Sequence, residues 1–120
     1  MALFGIKKKD APIVYPEKTY IYKQSKNYRG YKRIRLTSYN YQPAQDGIRA
    51  LSGADLSEAD IKITVVDKPG EPYATVMVGP HLAGTIFRSS FDRFDDLRNG
   101  KVVGVRLEVR DGESYLFYKV

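Results

Sequence analysis

A chain of 120 residues with 42% hydrophobic and 28% charged residues is long enough for one domain that buries about two-thirds of its unfolded surface. No apolar run approaches the roughly 20 residues of a membrane-crossing helix. The absence of cysteine excludes disulfides, thiol nucleophiles and cysteine-ligated metal centres, and points to the cytoplasm.

The net charge of +6 is unevenly placed. Residues 1–41 carry ten Lys or Arg against Asp10 and Glu17, a net of +8, while the remainder carries ten basic and twelve acidic residues, a net of −2. Such asymmetry fits a polyanionic partner, nucleic acid first, although a basic surface also serves solubility alone.

In chain order, residues 1–6 are a short apolar stretch followed by Lys7, Lys8 and Lys9. Two readings stay open here, a frayed terminus or weak attachment to an anionic membrane surface, and membrane binding is the poorer expectation. Pro12 and Pro16 keep the chain extended, so residues 1–16 are expected to be an extended or flexible segment and residues 17–120 a single β domain.

Residues 18–41 hold six of the ten tyrosines and read as a hairpin or a strand–loop–strand, turning near Asn27 and Gly30. On the second strand, Ile34 and Leu36 point one way, while Arg33, Arg35, Thr37, Tyr39 and Tyr41 point the other. Arginine neutralises phosphate and tyrosine stacks on bases, so this stripe, with Tyr28, Arg29, Tyr31 and Lys32 beside it, suits single-stranded nucleic acid. Cross-strand packing of the same tyrosines is the structural alternative.

Pro43, Gly47 and Gly53 interrupt the next segment, leaving a short helix or turn around residues 46–51. The sheet centre follows. Ile61, Ile63 and Val65 alternate with polar residues, residues 73–78 are almost continuously β-prone, and Pro69, Gly70 and Pro72 form the connection between them. Gly79-Pro80 marks a turn, and residues 82–88 return as a strand with Gly84 at a bulge or close approach. Residues 89–100 look like the clearest helix, centred on 91–98, with Ser89 and Asp92 as a capping box and Phe91, Phe94 and Leu97 on one face. A strand over 101–110, with Val103, Val105, Leu107 and Val109 on one side, turns at Asp111-Gly112 into a final strand over 114–120. The predicted fold is mainly β: a small, strongly curved antiparallel sheet or barrel-like fold with one or two short helices.

Catalytic apparatus is lacking, so no enzyme and no cofactor are expected. Asp92, Asp95 and Asp96 form the only close carboxylate cluster and read as a solvated helix face rather than a metal site; His81 is the sole histidine.

Residues 48–110 resemble the HIRAN family of small β domains. The pattern is carried by a strand at residues 61–66, then Asp67, Pro69, Pro72-Tyr73 and a strand at 74–78, followed by Gly79, Leu82, Gly84 and Ile86, a short helix at 91–97 and Gly100. Glu71 and Ala74 stand where the family prefers Asn and Asp. The resemblance implies a barrel-like fold that binds DNA, particularly single-stranded 3′ ends. The family's own ligand-binding residues do not carry over one by one; the residues expected to bind come from the basic–aromatic segment and are Tyr28, Arg29, Tyr31, Lys32, Arg33 and Arg35, joined by Tyr39 and Tyr41. Tyr73, His81 and Arg88 complete the set, with Tyr73 near His81 if their loops share one end of the barrel. The alternative function is a protein-interaction module that pairs an exposed strand edge with a partner; oligomeric state is left open.

Overall fold

The computed structural model describes residues 14–120; the apolar and lysine-rich segment at 1–9, with its membrane reading, lies outside them. Seven strands run in order as β1 (Glu17–Lys23), β2 (Lys32–Arg35), β3 (Asp60–Val66), β4 (Tyr73–Val78), β5 (His81–Phe87), β6 (Gly104–Arg110) and β7 (Glu113–Lys119). Helix α1 (Gln42–Leu51) lies between β2 and β3, and a 3-10 turn (Arg88–Ser90) and helix α2 (Phe94–Arg98) lie between β5 and β6. The fold is mainly β, built from two antiparallel sheets of order β1-β3-β4-β5 and β2-β7-β6.

The sheets are strung together at two places. A parallel bridge links Gln24 to Val105, and an antiparallel one links Thr37 to Thr85. Followed through these bridges, the strands form a ring, β1-β3-β4-β5-β2-β7-β6, but each seam is one bridge and not a ladder, so the barrel stays open. The expected hairpin at 18–41 is therefore replaced by its alternative, a strand–loop–strand, with β1 and β2 in different sheets.

The inner faces meet in a core where period-two alternation holds. Ile61, Ile63 and Val65 of β3 and Ala74 and Val76 of β4 are buried against Leu107 and Leu116 of the other sheet. β4 is not buried on both sides: Tyr73, Thr75 and Met77 alternate outward and stay half-buried. Ala83 and Gly84 sit at a register shift between β4 and β5, where Gly84 packs against the Leu36 side chain, as its glycine signals. The Asp111-Gly112 turn forms as expected, with φ of 52° and 75°, the two positive values of a type I′ hairpin.

Both helices differ from expectation. α1 is the longer one, with ten residues. Pro43 falls in its first turn, where no intrahelical donor is lost, and Ala44, Gly47, Ile48 and Leu51 form its buried stripe. Gly47 is a contact point: a Cβ there would overlap the Leu82 carbonyl of β5. Over 89–100 the helix shrinks to five residues, because Phe91 is extended (φ −139°, ψ 105°) and separates the 3-10 turn from α2. Ser89 caps nothing; its hydroxyl donates to Glu71 Oε1 at 2.8 Å. The apolar face survives, with Phe91, Phe94 and Leu97 all buried. β6 begins at Gly104, so Val103 precedes the strand and is exposed, while Val102 takes the buried place.

Candidate functional site

The outward face of the four-stranded sheet carries a cross-strand pattern that one strand alone does not reveal. Strand register places Thr19 beside Thr64, Thr64 beside Thr75 and Thr75 beside Thr85, and the seam adds Thr37 beside Thr85. Five threonines thus run in one row across the strands. The next row on the same face is Val66, Tyr73 and Phe87.

Where the two rows reach the seam, they form a cleft of about 470 Å³. Its floor is Thr37, Thr75 and Thr85, and its walls are the rings of Tyr39, Tyr41, Tyr73 and Phe87. Tyr73 and Phe87 lie 6.3 Å apart between centroids, tilted by 46°. Tyr39 and Tyr41 reach the cleft because Asn40, at φ 58°, reverses the chain between them, and Tyr41 stands at the N-terminal boundary of α1. Tyr39 and Tyr41 are 72% and 53% exposed, so they stay open to solvent at the cleft. Lys68 and Glu71, from the β3–β4 connection, stand at the rim. Lys68 has no ion-pair partner among the described residues.

The predicted stripe is broken in two. Leu36 N–H donates to Ser114 O at 2.9 Å and Thr37 N–H to Thr85 O at 2.9 Å, so the chain leaves one sheet and joins the other within two residues. Arg33 and Arg35 consequently lie on the outer face of the three-stranded sheet, while Tyr39 and Tyr41 lie beyond the seam in the cleft. On that outer face, Arg33 covers the Tyr115 ring at 5.0 Å and Arg35 pairs with Glu113 at 3.2 Å. The Tyr115 hydroxyl donates to Glu113 at 2.8 Å, and this bond to the carboxylate raises its pKa.

Several other expected binding residues are held by the fold. Tyr28 is sandwiched edge-on to Phe117 and under Arg106, whose guanidinium lies 4.5 Å from its ring centre. Tyr31 shares a hydrogen bond of 3.1 Å with Ser25 and fills the space beside Gly104. Arg29 is exposed in the turn and Lys32 opens on a small cavity with Arg93 and Lys119. Arg88 lies at the Tyr73 end, its N–H donating to Pro72 O at 3.1 Å, but it does not line the cleft.

Tyr73 and His81 do not share an end. Tyr73 pairs with Phe87 and His81 with Val78, so they occupy opposite ends of the β4–β5 hairpin. His81 is exposed and borders a second cavity of about 500 Å³ with Asp46 and Met77, which adjoins the cleft through Thr75 and Leu82. The acidic helix residues are used in pairing, Asp95 with Arg98 and Asp96 with Arg93. Among the described residues, no group of three His, Cys, Asp or Glu is placed to hold a metal ion, and no helix is long and apolar enough to cross a membrane.

Lys68, Glu71, Thr75, Leu82, Thr85 and Phe87 are the cleft residues that sequence reasoning did not place in the site, whereas Thr37 stood on the predicted stripe. Period two from Tyr73 puts Thr75 on its face, and period two back from Phe87 puts Thr85 on the same one; that signal is present in the sequence once the register is known. No family model, curated protein or solved structure matches this chain, so the resemblance to HIRAN domains rests on the sequence pattern alone.

Proposed function

We propose that this chain is a non-enzymatic nucleic-acid-binding domain that takes single-stranded DNA into the aromatic cleft, with a terminal 3′ base as the preferred occupant. The supporting observation is the gathering of Tyr39, Tyr41 and Tyr73, from two distant parts of the chain, around one cleft floored by hydroxyls. Stacking on such rings contributes about 1–3 kcal/mol per base and tolerates any sequence. The threonine hydroxyls offer donors and acceptors to a terminal sugar, and Lys68 offers a cation to its phosphate. Arg33 adds positive charge outside the cleft, on the outer face of β2 beyond the seam, while Arg35 is paired with Glu113. The likeness to HIRAN domains points the same way.

The test is a comparison of short single strands ending in a free 3′ hydroxyl, ending in a 3′ phosphate, or closed in a circle. Tightest binding of the free 3′ hydroxyl, lost by about tenfold or more in Tyr73→Ala, is the expected result. Equal affinities for all three would remove the preference for ends; absence of binding to all would remove the nucleic-acid reading.

A second reading has its own observation. β1 is an edge strand of its sheet, and Ile21 on it is 67% exposed, as an edge that pairs with a protein partner would be. Salt separates the two, because phosphate binding weakens steeply with salt whereas edge pairing is nearly indifferent.

A further inference from the structure

The cleft occupies one end of the threonine row, and the row continues past it. Thr37, Thr85 and Thr75 floor the cleft, while Thr64 and Thr19 carry the same line of hydroxyls across β3 to β1. The Thr19 and Thr64 hydroxyls lie 3.0 Å apart and share one hydrogen bond, which consumes one of their two protons and leaves the other to donate. Both sit on the solvent side, Thr19 exposed and Thr64 half-buried. Lys62, two residues from Thr64 on the same face, is exposed and has no ion-pair partner among the described residues.

We infer that the row is a track for the backbone of the strand whose end the cleft holds, leading it perpendicular to the β-strands from the seam to β1. This rests on the proposed single-strand binding and adds a direction and a length. Neighbouring strands are about 4.8 Å apart, so the five threonines span about 19 Å. That distance accommodates on the order of four nucleotides, the lower end of single-strand site sizes. Hydroxyls at every strand give the sugar–phosphate chain a hydrogen-bond donor or acceptor at each step, with no base edge read. Lys62 and Lys68 lie to either side of this path and supply positive charge along it, with Glu17 beside Thr19 and Glu71 at the rim opposing them. The rings that the four strands present on this face, Tyr73 and Phe87, stand toward the seam. The track therefore holds backbone and the cleft holds a base.

The experiment measures affinity for oligothymidylates from dinucleotide to octamer with the wild-type chain, with the double variant Thr19→Val and Thr64→Val, and with Tyr73→Ala. Valine keeps the shape and strand preference and puts a methyl group in place of each hydroxyl. The expected result is affinity that rises up to about the tetramer and then levels. The double threonine variant should bind the dinucleotide as wild type does and lose about fivefold or more on the octamer. Tyr73→Ala should weaken both lengths. An octamer bound equally by wild type and the threonine variant, or a dinucleotide bound as tightly as an octamer, would overturn the track while leaving the cleft in place. Failure of every oligonucleotide to bind would overturn both, and tighter binding of a neutral oligosaccharide than of the octamer would reassign the row to a different polymer.

Discussion

Gln24 follows β1 and is buried, and its carboxamide accepts from Leu107 N–H at 2.7 Å while donating to Leu107 O at 2.9 Å. A side chain thus supplies what a neighbouring strand would supply, at the seam where β1 meets β6. Gln24→Leu keeps the volume and leaves both backbone groups of Leu107 without partners, at about 1–3 kcal/mol for each unsatisfied group. The expected loss of stability is about 2–4 kcal/mol, read as a lower urea midpoint at constant slope. Gln24→Glu keeps the acceptor but turns a buried carboxylate oxygen onto the Leu107 carbonyl, so at neutral pH it should cost at least as much as Gln24→Leu. Nothing in the sequence separates Gln24 from a surface glutamine, since its role depends on a partner 83 positions away. Tyr28 and Tyr31 are obscure for the same reason: their rings look alike in sequence to Tyr39 and Tyr41, and only the placement of Phe117, Arg106 and Ser25 decides which rings are packed and which are free.

At the level of elements, the strands were legible where alternation was strict. β3 and β4 fall where Ile61, Ile63, Val65 and the β-prone run predict them. The helices were less so. Ser89 has the sequence of a cap but finds Glu71 across a loop, and Gly47 has the look of a breaker but serves a close approach. Gly47→Ala makes that argument measurable. Alanine gains about 1 kcal/mol of helix propensity, yet its methyl meets the Leu82 carbonyl, a backbone atom that cannot rotate away. Overpacking of this kind costs about 1–3 kcal/mol or more, so a net destabilisation is expected on urea unfolding. α2, for all its brevity, anchors the core through Phe94, which is 1% exposed, and Phe94→Ala should cost about 3–5 kcal/mol.

Over the whole molecule, the concentration of positive charge at one end of the sequence is softened by folding. Among the described residues of that region, Lys23 pairs with Asp60, Lys26 with Glu58 and Arg35 with Glu113, acids drawn from the later part of the chain. Linear charge asymmetry was therefore legible, and its partial cancellation was not. Asp55 is held below the ordinary carboxylate range by the Ser57 N–H that donates to it, but the tyrosines and the lysine that shift all move upward. Burial raises the pKa of Tyr22 and Tyr118, the Glu113 hydrogen bond raises that of Tyr115, and the Asp60 hydrogen bond raises that of Lys23. A raised folded pKa means stability that is complete below the unfolded value, 10.0 for tyrosine and 10.5 for lysine, and lost as pH rises through the folded one. Urea midpoints should hold steady up to about pH 9 and fall above pH 10.

The seam between Thr37 and Thr85 makes the cleft a property of two sheets at once. Thr37, Tyr39 and Tyr41 belong to one side of it and Tyr73, Thr75 and Phe87 to the other, while the sides are tied by reciprocal bonds of 2.9 and 3.0 Å between these two residues. This two-bond tie can open locally while Leu36 and α1 stay packed against β5, and when it does the cleft loses its shared floor. Native-state hydrogen exchange would see such breathing in the Thr37 and Thr85 amides, which should exchange faster than the β3–β4 ladder amides. On the proposed binding, an oligonucleotide wedged between the rings acts as a clasp, and adding one should slow exchange at these two amides while leaving Leu107, at the opposite seam, unchanged.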